Sequence, residues 1–374
     1  MSTIRRSFSP PARVVDFFRR HQSISIIVGV GIACGLLPFI ILVPPFSSFG
    51  HQKDWVDGFA NAGVFMLLAM GLNVVVGLAG LLDLGYAAFF AIGAYTYAFG
   101  ASPFSGLHLP FWFLLPVGAL VAALFGILLG APTLRLRGDY LAIVTLGFGE
   151  IVPIVFLNAD QYTQGTNGIG GLYTPSLLSY TFRIGDPWPY YFTMAAVIAL
   201  VMILLYRLQD SRLGRAWMAL REDELAAASM GINTVTTKLL AFAIGASTSG
   251  FAGVFLASKL TLVSPDQFGF VVSFTVLAMV VLGGMGNIWG VAIGALIVFE
   301  LQTQGLKQLN QVFQPLNIPI LSNVDFLQYQ FLLYGIALVA MMLIRPEGLF
   351  PSRRRRAELH EAGVEAALPE VEEE

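Results

Sequence analysis

A few polar side chains stand where hydrocarbon would be the ordinary neighbour. Asn73, Thr145, Glu150 and Glu300 fall inside or near long apolar runs, and Asp83 lies at the junction of two of them. An ionised side chain at the centre of a bilayer-spanning helix costs about 2.5–3.5 kcal/mol on insertion scales, so it faces a partner or a water-filled path. Glu150 is the sharpest case. It sits in TLGFGEIVP, where Gly147, Gly149 and Pro153 weaken the helix and open backbone groups to a cavity. Two readings stand for it, a carboxylate facing a pathway and a paired structural one. Asp83 reads as an N-cap of the run that follows. Glu300, near the end of its run, reaches interfacial water.

The chemistry these groups support is passage, not catalysis. The chain contains no G-x-x-x-x-G-K-[ST] phosphate loop, no H-E-x-x-H and no G-x-S-x-G. Its histidines, His21, His51, His108 and His360, all lie outside the apolar runs, which argues against a metal site or proton relay there. The single cysteine, Cys34, permits no internal disulfide and no cysteine metal spacing. The expectation is a non-enzyme with no metal, no cofactor and no nucleic-acid partner.

Composition sets the frame for these residues. The chain is 56% hydrophobic and 12% charged, against roughly 45–50% and about 25% for a soluble domain. Runs of about 20 apolar residues, enough to cross a bilayer core as helix, recur along it. Lipid leaves exposed backbone groups unsatisfied, so the expected fold is all-α, a polytopic integral membrane helical bundle. Spans are placed at 24–43, 59–79, 82–100, 111–131, 140–157, 189–206, 239–257, 270–286, 288–305 and 328–344. The Gly-rich LGGMGNIWG between the eighth and ninth allows two spans with a tight turn, or one span plus a re-entrant half-helix. Basic residues cluster before the first span (Arg5, Arg6, Arg13, Arg19, Arg20), after the last (Arg353 to Arg356), and in the connections holding Arg135, Arg137, Arg207, Arg212, Arg215, Arg221 and Lys238. The positive-inside bias then makes both termini cytoplasmic. The outer connections hold only Lys53, Arg183, Lys259 and Lys307. TIRRSF has the look of a twin-arginine signal, but the run behind it is of spanning length and lacks a small-residue cleavage site, so the first span reads as retained.

Three regions follow: a cytoplasmic segment 1–23, a transmembrane body 24–344, and a tail 345–374 that turns from basic to acidic. Small residues recur at four-residue spacing within the body: Gly286, Gly290 and Gly294; Gly245, Ser249 and Gly253; Gly126 and Gly130. Gly147, Gly149 and Gly283 belong with them as packing or gating positions. Such stripes let helices approach closely, and they also let helices slide.

One segment, about 207–238, reads as a soluble helix hairpin set into this apolar chain. Leu213, Trp217 and Leu220 repeat at i, i+4 and i+7, and Leu225, Ala228, Ser229 and Ile232 repeat the face in a second short helix. Asp223 is suited to cap that helix and Gly231 to end it. Ala226, Ala227 and Ala228 offer a small-residue face. From the pattern, the hairpin rests either in a groove on another protein or on the lipid surface.

GLNVVVGLAGLLDLGYAAFFAIGAY, LRLRGDYLAIVTLGFGEIV, GRAWMALREDELAAASMGI, VLAMVVLGGMGNIWG and RPEGLFP, in that order from about residue 59 to 351, resemble the LivM-type permeases of bacterial high-affinity branched-chain amino acid ABC importers. The resemblance implies an inner-membrane permease for leucine, isoleucine and valine. It implies a second homologous permease of LivH type, two ATP-binding cassette subunits at the cytoplasmic face and a periplasmic binding protein as partners. It also makes the hairpin a coupling element. Trp217 and Leu220 would anchor an ATP-binding subunit, Arg221, Glu222 and Glu224 would form a polar rim, and Ala226, Ala227 and Gly231 would follow the Glu-Ala-Ala loop pattern of ABC importers. Leu225 stands where that pattern has Glu, and Glu224 one place early. Zwitterionic cargo with an aliphatic side chain suits a wall of Asn73, Tyr86, Thr145 and Glu150 beside Phe89, Phe90 and Phe148. Related permeases carry urea, short amides or other amino acids. An ion-coupled secondary transporter is the rival class, and it would leave the hairpin without work.

Overall fold

The computed structural model describes residues 52–133, 136, 138–177, 180–305, 329–345 and 348–350, with isolated positions between 29 and 38. The expected first span, the basic segment before it, Arg135, Arg137, Cys34, Lys307 and the charged tail lie outside the described residues, as do His21, His51 and His360. Helix dominates the rest. Six helices are long and apolar enough to cross a membrane among the described residues.

At the centre is α1 (Gln52–Leu72), which runs on as a π-helical segment, Asn73–Leu78. The combined 27 residues are 78% buried over their most apolar window. A helix apolar on every face has no side to give to water, so it is surrounded. Against α1 pack α6 (Pro187–Gln209), α9 (Thr234–Leu260), α10 (Phe270–Gly283) and α11 (Ile288–Glu300). The chain leaves α1 through a turn into α2 (Tyr86–Gly100), then forms α3 (Phe111–Thr133) and α4 (Asp139–Asn158). α2 and α3 both pack on α9. A Cβ on Gly93 would lie 2.5 Å from the Gly250 carbonyl oxygen, and one on Gly250 2.6 Å from that of Gly118. Three backbones therefore meet with no side chain between them, the close approach that small residues permit in membrane bundles.

The all-α expectation holds for the bundle and fails at one end. There, after the single-turn α5 (Asp160–Thr163), β1 (Ile169–Gly170) pairs antiparallel with β4 (Leu262–Val263), and β2 (Ser176–Leu177) with β3 (Tyr180–Thr181). Outside the apolar layer, water can satisfy the free strand edges that lipid cannot. At the same end Lys259, placed by the sequence in a loop, is the penultimate residue of α9. Its ammonium lies 2.7 Å from Asp57 Oδ1 and 2.6 Å from Asn61 Oδ1.

The opposite end carries the hairpin, α7 (Arg212–Glu222) and α8 (Glu224–Ser229). Of the two geometries open for 270–305, the structure has two helices and a tight turn, with α11 ending in a π-helical segment at Leu301–Gly305. Gly286, at φ +82°, makes the turn. The two helices meet at Gly283, Gly290 and Gly294, a Cβ on Gly290 falling 2.7 Å from the Gly283 carbonyl. Backbone N–H groups of Leu349 and Phe350 donate to Leu282 and Gly283 at 2.8 and 3.2 Å, so the chain beyond α12 (Gln330–Ile344) folds back on the end of α10.

Gly93→Val drives two methyls into the Gly250 backbone, an overpacking change of about 1–3 kcal/mol. A lowered thermal midpoint of the purified protein in detergent is the expected result; an unchanged midpoint would mean that the three backbones do not meet there.

Candidate functional site

The hairpin is built by local capping. Ser211 Oγ accepts from the Gly214 N–H at 3.3 Å to start α7. Asp223 Oδ1 accepts from Leu225 and Ala226 at 2.7 and 3.0 Å to start α8. α8 ends as the sequence indicated: Gly231 takes φ +85°, its N–H donates to Ala228, and the Ile232 N–H reaches back to the Ala227 carbonyl at 3.1 Å. The Ala226 and Leu225 N–H groups also hold the Asp223 carboxyl below the ordinary aspartate value.

Which way the hairpin faces is where sequence reasoning needs correction. Trp217 is fully buried inside this chain, and its indole N–H donates to the Thr237 carbonyl at 2.7 Å. Leu220 and Ala227 are buried beside it. Glu224 pairs with the buried Lys238 at 2.6 Å. The Arg221 guanidinium donates to the Gly77 carbonyl at 2.7 Å. Trp217, Leu220, Arg221, Glu224 and Ala227 thus fasten the hairpin to the bundle, because an amphipathic stripe turns toward the nearest apolar surface and here that surface is the chain's own. Glu222, Ala226, Ala228, Ser229 and Gly231 face outward, with Leu225 at 66% and Met230 at 84% exposure.

Arg221 leads directly to the break in α1. Its stem lies across Gly80, where a Cβ would come within 2.7 Å of Arg221 Cγ. Asn73, at the start of the π-segment, accepts the Gly286 N–H on Oδ1 at 2.8 Å and is fully buried. Tyr86 donates its hydroxyl to the Gly245 carbonyl at 2.7 Å. Both were expected on a pathway wall; both instead tie helices together, since the Asn73 carbonyl oxygen and the Tyr86 hydroxyl find partners in distant backbone. Gly286 is a turn residue rather than part of a packing stripe, and a Cβ on Gly147 would meet open space. Gly149 does pack, 2.8 Å from Gly85 Cα by the same measure.

Of the other expected pathway residues, Phe89, Thr145 and Phe148 come together. After α1, Asp83 Oδ1 accepts the Gly85 N–H at 2.9 Å, shaping the turn from two residues ahead of the true N-cap of α2, which is Gly85. Thr145 Oγ1 accepts the Leu84 N–H at 3.1 Å, docking α4 on that turn. Between them lies a cavity of about 220 Å³ lined by Asp83, Phe89, Thr145, Phe148 and Phe242, among others. A second cavity of about 420 Å³, lined by Tyr95, Thr96, Phe125 and Phe156, shares Phe148 and Ile151 with the first. Sequence gave no sign of Tyr95 or Thr96, which sit in an unbroken apolar run. Both cavities border α4, whose apolar window is only 28% buried. Tyr140, Ile143 and Ile154 stand exposed along it at 72%, 64% and 52%. Glu150 is on this face too, lining neither cavity, with Oε1 accepting the Phe270 N–H at 3.2 Å. Glu300 lies far off at the strand-bearing end, 3.2 Å from where a Gly58 Cβ would stand.

Residues 55–342 match the family model described as the permease component of the branched-chain amino acid transport system. The chain belongs to this permease family. It is 43% identical over 332 residues to the high-affinity branched-chain amino acid transport system permease protein LivM of Escherichia coli (strain K12), covering 83% of this chain and 73% of that one. The permease protein LivH of the same organism is 29% identical over 260 residues, covering 66% of this chain and 83% of its own length. The ribose import permease protein RbsC of Haemophilus influenzae is 28% identical over 274 residues, 70% and 81% of the two chains. No solved structure matches the permease.

Because the Asp223 carboxyl is depressed in the folded state, the stability it adds is complete above the unfolded aspartate value and is lost as pH falls through the lower folded one. Asp223→Ala removes the cap at any pH. Amide exchange at 224–229 is expected to quicken in this variant at neutral pH while 234–260 stays protected; equal exchange would show that the cap holds nothing.

Proposed function

We propose that this permease is a membrane subunit of an ATP-driven importer for branched-chain amino acids. The observation that carries the reading is the hairpin, fastened inward to the broken end of α1 and offering Leu225 and Met230 outward. A chain without a phosphate loop must borrow its energy, and a rigid element with an exposed apolar tip is how a second protein can push on it. The ATP-binding subunits would take that tip, two of them serving this chain and a LivH-type partner permease. Glu222 and Ser229 would form part of the polar rim.

The cargo is argued from the walls. Both cavities are lined by phenylalanine and aliphatic side chains, with Thr145, Asp83, Tyr95 and Thr96 as the polar points. A branched aliphatic side chain is at home there, whereas a sugar such as the one RbsC is named for would strand its hydroxyls. The exposed face of α4, with Glu150 and Gly147 on it, would pair with the partner permease and line the path between them. The fine topology follows the basic residues: about ten crossings in the inner membrane, a cytoplasmic segment at 1–23, a transmembrane body at 24–344, and a cytoplasmic tail at 345–374. A periplasmic binding protein would deliver substrate to the strand-bearing end.

Proteoliposomes holding the assembled complex, with ATP on the hairpin side, binding protein on the other and no ion gradient, are expected to accumulate radiolabelled leucine. Uptake driven by an ion gradient without ATP would overturn the reading. Met230→Arg is expected to lower ATP-dependent uptake at least about tenfold, the equivalent of one contact worth roughly 1.4 kcal/mol, with the permease still in the membrane; unchanged uptake would remove the hairpin tip as the docking point.

A further inference from the structure

Asp83 is 2% exposed, and only one of its oxygens is accounted for. Oδ1 takes the Gly85 N–H, while Oδ2, buried, has no hydrogen-bond partner among the described residues. Buried polar atoms are almost always paired, so a carboxyl that borders a cavity with one buried oxygen unpaired is a request for a donor. Every other wall group is either apolar or already engaged: Thr145 Oγ1 accepts from Leu84 and donates to Ala142. The donor that fits must therefore enter with the occupant. It must carry N–H groups on one end and an aliphatic body on the other, because the remaining wall includes Phe89, Leu129, Phe148 and Phe242.

We infer that the cavity beside Asp83 is a transit site for the branched-chain amino acid, with the Asp83 carboxyl turning to receive the α-ammonium and the phenylalanine walls holding the side chain. The inference rests on the importer reading and adds the anchor. Size agrees. An apolar cavity of about 150 Å³ accepts benzene, so about 220 Å³ admits a somewhat larger branched molecule. Access agrees as well, since Val144, Gly147 and Ile151 border the cavity and are exposed on the α4 face. An ammonium brings its own positive charge to a carboxyl that has no hydrogen-bonded cation among the described residues, a pairing that a uniform apolar pocket could not offer to a zwitterion. Asp83 also sits in the turn that leaves the π-segment gripped by Arg221, so a movement of the hairpin shifts the anchor itself.

The test is photo-crosslinking of the full complex in nanodiscs with a diazirine analogue of leucine, followed by peptide mapping, in a preparation whose leucine uptake has been verified. Label is expected on peptides containing Phe89 and Phe148. Excess leucine and isopentylamine, which keeps the ammonium and loses the carboxylate, should compete it away at least about tenfold more effectively than 4-methylpentanoate, which keeps the carboxylate and loses the ammonium. Asp83→Asn should remove the label. Competition by 4-methylpentanoate equal to that by isopentylamine, measured on the unaltered protein, would overturn Asp83 as the ammonium anchor even where the variant fails to assemble. Absence of label from the cavity in a preparation that transports leucine would overturn the site while leaving the importer reading intact. Failure of the unaltered complex to take up leucine at all would count against that reading instead.

Discussion

The guanidinium of Arg221 on the carbonyl of Gly77 is the contact on which the arrangement turns. A central helix wrapped by its neighbours gains from burial along its whole length, but where it breaks it must satisfy the backbone groups that the break releases, and hydrocarbon supplies no partner. Within the π-segment, the carbonyls of Val74 and Val75 are met by the N–H groups of Ala79 and Leu81. The Gly77 carbonyl is met from outside, by a charged donor on a different helix, a class of bond worth about 1.5–3 kcal/mol net. Asn73 at the other end of the segment meets the turn between α10 and α11. The break is thereby pinned on two sides, by the hairpin and by the α10–α11 turn.

From that constraint the geometry of the cavity follows. The chain that leaves the pinned segment has a few residues in which to reverse before α2, and Asp83 and the docked Thr145 shape that reversal. α4 rests on the same turn through Gly149, which is why a helix so little buried by its own chain still has a fixed position. On the proposed reading, a push on the hairpin would reach Arg221, the end of α1, the Asp83 turn and α4 in sequence, each link being a hydrogen bond or a close backbone contact.

Much of this was legible in the sequence where the signal is local. Helix positions followed from apolar length, and the hairpin's internal caps from Asp223 and Gly231, because capping depends on residues two to four positions apart. The turn at Gly286 was among the expected geometries for the same reason. What periodicity cannot supply is direction. It marked Trp217 and Leu220 as one face of a helix without saying that the face belonged to Thr237 and the bundle rather than to another protein. Asn73 and Tyr86 looked like pathway residues because a polar side chain in an apolar run reads as functional, yet their partners are backbone groups of residues 286 and 245, far along the chain. Phe89 and Thr145 do meet around one cavity, and Asp83, read as a cap, turned out to shape the turn beside it. Tyr95 and Lys259 gave no local sign of what they would touch.

On the proposed function, hairpin movement reaches the transport path through Arg221. The most direct measurement is the number of leucine molecules moved per ATP hydrolysed by complexes reconstituted with Arg221→Ala beside the unaltered permease. Hydrolysis that continues while leucine moved per ATP falls at least about tenfold, the effect of losing one bond of about 1.5 kcal/mol or more, is the predicted result. An unchanged ratio would contradict the account, since the hairpin would then be driving transport by some route that bypasses the broken end of α1.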